Sequence, residues 1–189
     1  MAQSPPDFQE EIARWSEVIA RQPHNAQAHF ARGYAYLRSY RNAHAIQDFD
    51  RALEIDANLA EAYRQRGRCY LRTQRYEQAI ADFDRLIELN PQDAYAYGLR
   101  GTCYLRCERY EQATRDFFMA ARLSPEDPGT LYDLATVFAL RDDLETALDL
   151  LRGILEREPE YREYAKYDPS LANLRGELRF WELVEATPP

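Results

Sequence analysis

Apolar and small side chains return along this chain with two superposed periods. The short one is helical: Ala79, Phe83, Leu86 and Ile87 fall at i, i+4, i+7 and i+8, one stripe of a helix. The long one is 34 residues, seen in Ala31 to Arg38, Gln65 to Arg72 and Leu99 to Arg106, each built around Arg-Gly and closing on Leu-Arg. A second block keeps step with it: Ala45 to Phe49, Ala79 to Phe83 and Ala113 to Phe117. A more diverged fourth unit starts at Pro128, with Ala135, Phe138, Ala147, Leu151 and Pro159 in matching places. The pattern predicts helix pairs over 26–39/42–55, 60–73/76–89, 94–107/110–123 and 128–141/144–157. Pro91, Pro125 and Pro159 stand where a residue without an N–H discourages further helix. Asn25, Asp93 and Asp127 stand where the next helix needs an N-cap, and Pro128 takes a first-turn position.

The ends differ from the repeats. Ile12, Trp15, Val18 and Ile19 predict a lone amphipathic helix over 7–21, in register with the second helix of a missing pair. Beyond the fourth unit, a short helix near 162–167 and an amphipathic one near 177–186 are expected. Leu171, Leu174, Phe180, Trp181 and Leu183 would cover the last pair.

The 34-residue unit resembles the tetratricopeptide repeat, whose signature places Gly, Tyr, Ala, Phe, Ala and Pro at fixed offsets. Residues 60–93 supply Tyr63, Gly67, Tyr70, Ala79, Phe83 and Pro91, with Leu86 at the last small position. Residues 94–127 supply Tyr97, Gly101, Tyr104, Ala113, Phe117, Ala120 and Pro125. Residues 26–59 supply Gly33, Tyr36, Ala45, Phe49 and Ala52, but Ala57 stands where proline is usual. The resemblance implies an all-α fold, a right-handed superhelical solenoid of four helix pairs with capping helices at both ends. The expected organisation is an N-terminal segment and capping helix (1–25), repeats at 26–59, 60–93, 94–127 and 128–161, and C-terminal capping helices with a tail (162–189).

The Arg-Gly motif reads as scaffolding. Arg32, Arg66 and Arg100 are each followed 16 residues later by Asp48, Asp82 or Asp116, and the fourth unit changes both partners together, to Leu134 and Leu150. A buried ion pair replaced by an apolar contact leaves that record, because losing one partner alone costs about 3–5 kcal/mol. The glycines let paired helices approach closely, with Ala135 the smallest substitute.

Composition narrows the remaining chemistry. Charged residues make up 30% and apolar ones 46%, which fits a folded chain. The net charge of −8 argues against nucleic acid as a partner. No stretch approaches a membrane span, and Met1 to Phe8 lacks the basic and apolar regions of a secretory signal. Cys69, Cys103 and Cys107 are too few for a disulfide framework, so a cytoplasmic setting is expected. Cys103 and Cys107 share a helix face, but two ligands make no structural zinc site. No phosphate-cradling glycine loop and no nucleophile–base arrangement is found. The expectation is a protein without catalytic residues, cofactor or metal.

The resemblance also implies where a partner binds. In this family the first helices of each pair line a concave groove. The corresponding positions include Phe30, Tyr34 and Arg38; Arg64, Arg68 and Arg72; Tyr95, Thr102 and Arg106; and Tyr132. Five arginines on a chain of net charge −8 imply a groove for an extended acidic or C-terminal carboxylate-bearing peptide. Phe30, Tyr34, Tyr95 and Tyr132 would serve as amphipathic anchors. The other reading is that these arginines satisfy acids on the same face, such as Glu61, or keep it soluble. The clamp that grips the C-terminal tails of large chaperones resembles a Lys/Asn pair where this chain has Phe30 and Tyr34, so a co-chaperone of that kind is not implied. An adaptor or assembly scaffold is expected, with homo-oligomerisation as the alternative.

Overall fold

A computed structural model describes residues 8–186, so the expectation for the first residues lies, Phe8 apart, outside the described part. Those residues form helices with no strand. They fall into two compact units, one ending at Pro91 and the other starting at Gln92.

The first unit comprises α1 (Phe8–Arg21), α2 (Ala26–Arg38), α3 (Asn42–Ile55), α4 (Ala60–Arg72) and α5 (Tyr76–Leu89). The second comprises α6 (Ala94–Arg106), α7 (Tyr110–Leu123), α8 (Pro128–Leu140), α9 (Leu144–Arg157), α10 (Tyr161–Tyr167), a 3₁₀ helix (Pro169–Gly176) and α11 (Leu178–Glu185). Successive helices pair as the sequence period demands, α2 with α3, α4 with α5, α6 with α7 and α8 with α9. The N-caps act as expected. Asn25 Oδ1 accepts from the Ala28 amide at 3.0 Å, Asp93 Oδ1 from Ala96 at 3.0 Å, and Asp127 from Gly129 and Thr130.

Inside each pair the turn is closed by a residue at positive φ: Tyr40, Gln74, Glu108 and Asp142, at 58–65°. The N–H three positions past the helix reaches back to the third-last carbonyl, as in Arg41 to Tyr36 at 2.9 Å and Arg75 to Tyr70 at 2.8 Å. This is a Schellman closure built without glycine, the residue that normally occupies it. Its absence is why no turn signal appears there in the sequence.

Two adjacent locks hold each of the first three pairs. The Arg32, Arg66 and Arg100 guanidiniums grip Asp48, Asp82 and Asp116 bidentately, at 2.6–2.9 Å. One residue further along, the glycine meets the phenylalanine following the aspartate. A Cβ on Gly67 would lie 2.7 Å from the Phe83 ring, and one on Gly101 2.9 Å from Phe117. The fourth pair replaces both locks: Leu150 packs against the cluster that holds Leu134, and Ala135 shares a cluster with Leu151, a smaller side chain than the phenylalanine of the other pairs. Arg66 also reaches Asp50 on the preceding helix at 2.6 Å. Arg32 makes the equivalent reach to the Ser16 hydroxyl at 3.2 Å, which puts α1 in the position of a second helix. Burial shifts the Asp82 carboxyl upward against the opposing pull of Arg66, whose own pKa is raised by the two carboxylates it binds.

The second unit closes on its own C-terminal segment. Leu171, Leu174, Phe180 and Val184 are buried in one cluster with α8 and α9, and Trp181 and Leu183 pack against it. The Trp181 indole N–H donates to the Arg175 carbonyl at 2.9 Å, and the Asn173 amide to the Ala139 carbonyl at 3.2 Å. The 3₁₀ helix therefore lies against α8.

Candidate functional site

In the first unit α2 and α4 lie side by side and carry the predicted site residues. Phe30 is partly buried against Phe49, with ring centroids 5.7 Å apart, and Tyr34 stacks on its other side at 6.2 Å. Phe30 therefore belongs partly to the packing, while Tyr34 stays exposed. Arg38 lies over the Tyr34 and Phe8 rings and 3.6 Å from Glu11. Arg64, Arg68 and Arg72 recur every fourth residue, so they share one face of α4.

Their partners differ. Arg64 pairs with Glu61 at 2.9 Å, so Glu61 does neutralise part of this face. Arg68 donates to the uncharged Gln65 Oε1 at 3.0 Å, and Arg72 lies over the Tyr40 ring at 5.4 Å. Among the described residues neither Arg68 nor Arg72 has a carboxylate within ion-pair reach.

The matching face of the second unit has another character. Tyr95 is exposed, and the Thr102 hydroxyl is taken up by the Gly98 carbonyl at 2.9 Å. Arg106 is exposed at the end of α6. Tyr132, expected as an anchor for a partner, is only 4% exposed. Its hydroxyl donates to Asp168 Oδ2 at 3.0 Å, and its ring packs against Tyr161 at 5.5 Å and Tyr164 at 5.2 Å. The chain's own capping segment has taken the position that a partner would need, and burial with the Asp168 contact pushes the phenol pKa up.

What the sequence reading missed is Asp133, beside Tyr132 and partly buried. An open recess of about 460 Å³ is lined by Gly129, Tyr132, Asp133, Glu160, Tyr161 and Tyr164. A second, of about 330 Å³, also borders Asp133 and adds Thr102, Arg106, Thr136 and Asp168. Desolvation raises the Asp133 carboxyl to about 6; Asp127 and Asp168 push the same way and Arg106 opposes. One signal was available. The positions equivalent to Asp133 hold Ala31, Gln65 and Leu99, so a carboxylate appears there in the fourth unit alone.

Cys69 and Cys103 are fully buried, and burial pushes the Cys69 thiol up to about 11, which makes it a packing group. Among the described residues no three His, Cys, Asp or Glu side chains are grouped to hold a metal ion, and no helix is long and apolar enough to cross a membrane.

Three sequence profiles described as Tetratricopeptide repeat match residues 7–60, 49–81 and 69–128. The chain belongs to the tetratricopeptide repeat family. A search of curated proteins finds no match to it. Solved structures of the family superpose well. MamA from Desulfovibrio magneticus RS-1 gives a TM-score of 0.78 at 23% identity, over 81% of this chain and 86% of that one. YrrB, described as a TPR protein with an unusual peptide-binding site, gives 0.73 at 18% identity, over 90% and 89%. The first TPR of Spaghetti (RPAP3), bound to the HSP90 peptide SRMEEVD, gives 0.57 at 20% identity, over 59% and 89%. At such identities the likeness is one of fold.

Proposed function

We propose that this chain is a protein-interaction module whose first unit binds an extended acidic segment along α2 and α4. One observation carries the reading: Arg68 and Arg72, one turn apart, are held by Gln65 and Tyr40 with no carboxylate partner among the described residues. A guanidinium oriented by a neutral amide or an aromatic face keeps its charge available, and its planar fork matches a carboxylate. Tyr34 and the Arg38 fork beside it would hold the neighbouring stretch of the segment. Two structures of similar fold support an interaction module: the RPAP3 structure holds a peptide with three acidic residues, and YrrB is described as having a peptide-binding site. Specificity for acidic sequence rests on this chain's own arginines.

The test is fluorescence anisotropy with a labelled oligoglutamate peptide and its oligoglutamine counterpart. Oligoglutamate should bind with micromolar affinity, about −8 kcal/mol, and weaken as salt is added. Combined Arg68→Glu and Arg72→Glu should reduce binding by more than about tenfold, roughly 1.4 kcal/mol. Equal binding of the two peptides, or a charge-reversed protein that binds like the original, rejects the proposal. So does a stable dimer, seen by light scattering, that prevents binding.

A further inference from the structure

We propose that the tyrosine-walled recess over Asp133 in the second unit is a subsite for a cationic side chain, an arginine or lysine presented by a partner protein. This goes beyond the acidic-segment reading and does not depend on it.

Four observations converge. First, Asp133 has neither a hydrogen bond nor an ion pair among the described residues, although it is partly buried. Second, the charges around it are predominantly negative: Glu160 lines the first recess, Glu108 and Asp168 the second, and Arg106 is the single cation among the lining residues. Third, Tyr132, Tyr161 and Tyr164 pack together and line the first recess, so aromatic rings, which attract a guanidinium or ammonium, border the space over Asp133. Fourth, Thr136 lines the second recess at 4% exposure, and its buried Oγ1 has no hydrogen-bond partner. An orphaned buried hydroxyl lining the same recess as an unpaired carboxylate matches the N–H groups of a cation. Neutral ligands leave the carboxylate's charge uncompensated, and anions meet repulsion.

The ionisation of Asp133 supports the assignment. Its carboxyl, at about 6, is charged at neutral pH yet held there against burial and against Asp127 and Asp168. A bound cation relieves that tension. Arg106 on α6 opposes it, and Glu160, Tyr161 and Tyr164 face it from α10 and its cap. Asp133 is the group expected to titrate between neutral pH and pH 5, so cation binding should weaken over that interval.

The probe is Nα-acetyl-arginine amide, added to the isotope-labelled full chain and followed by amide chemical shifts. The control is the citrulline analogue, which keeps the shape and loses the charge. Arginine should give saturable shifts at Gly129, Asp133, Tyr161 and Tyr164, with citrulline binding about tenfold more weakly. Asp133→Asn should lose about tenfold in arginine affinity while staying folded, and Tyr164→Ala, whose ring is exposed, should lose less. Lowering the pH to 5 should weaken the original chain and leave Asp133→Asn unchanged. Citrulline binding as well as arginine, wild-type affinity in Asp133→Asn, or no saturable shift would each overturn the proposal. The reporting amides all lie in the second unit, and the probe has no carboxylate for Arg68 or Arg72. Its failure is therefore distinguishable from failure of the acidic-segment reading.

Discussion

In the first unit α4 carries Arg64, Arg68 and Arg72, whereas in the second the corresponding helix α8 carries Asp133 beside a buried Tyr132. Both helices obey the same repeat period, and both pack on their second helices through the same pair of positions. Arg66 and Gly67 serve α4 there, and Leu134 and Ala135 serve α8. The packing residues and the arginines proposed for recognition thus stand at different positions of one helix, a residue or two apart. Arg66 is locked to Asp82 while Arg68, half-buried, has an amide partner in Gln65. The register that builds the scaffold leaves the facing side free to change sign.

The largest expected effect tests whether the two kinds of lock are equivalent. Asp82→Ala leaves the Arg66 guanidinium with Asp50 as its remaining acidic partner and should cost about 3–5 kcal/mol in urea unfolding. Combining Arg66→Leu with Asp82→Leu, the pair used by the fourth repeat, should recover most of it. A double variant as unstable as the single one would show that the ionic and apolar locks are not interchangeable. Next comes Gly67→Ala, which drives a methyl into the Phe83 ring and should cost about 1–3 kcal/mol. Adding Phe83→Leu copies the Ala135–Leu151 arrangement and should restore part of that stability, read as the shift in unfolding midpoint.

The smallest effect has the opposite sign and lies in the second unit. The Asp133 carboxyl is raised to about 6 in the folded chain, against about 3.9 when unfolded. The folded state therefore favours the protonated form. That contribution is fully present below about pH 4 and is lost as pH rises through about 6. At neutral pH the ionised group costs stability, so Asp133→Asn should stabilise by on the order of 1 kcal/mol, after discounting partial solvent contact. The gain should vanish near pH 4. A gain that persists there would assign the effect to packing instead of charge. Stability obtained at the expense of a binding group is the usual exchange at functional sites.

Much of the fold was legible because the repeats report on one another. A coordinated change, Arg and Asp to Leu and Leu, identifies a contact between two helices without any structure. The same logic read the glycines and the caps at Asn25, Asp93 and Asp127. The turns at Tyr40, Gln74, Glu108 and Asp142 were silent because none uses the residue that positive φ favours. The site was less legible. Counting one arginine-rich surface from family offsets treats every repeat as equally open, and the fourth is not. Its first helix, α8, lies against the chain's own 3₁₀ segment, while Tyr161 and Tyr164 of α10 pack on Tyr132 and wall the recess over Asp133. Periodicity cannot foresee that, since Tyr164 and Asp168, which meet Tyr132, lie beyond the repeat.

The Arg66 guanidinium has a consequence for motion as well as stability. It holds Asp82 on α5 and Asp50 on α3 from a single position on α4, and so ties together three consecutive helices. Were α4 and α5 to detach from the rest, the guanidinium would have to release Asp50; were α5 to peel away alone, it would lose Asp82. Partial opening at either boundary therefore separates charges that are paired in the intact unit. Arrays of this kind unfold through nearest-neighbour couplings, and a side chain shared by neighbours raises the coupling relative to the stability of any one pair. The stretch from α3 to α5 is accordingly tied so that opening at either of its boundaries breaks an ion pair, which favours opening it as a block over opening it helix by helix.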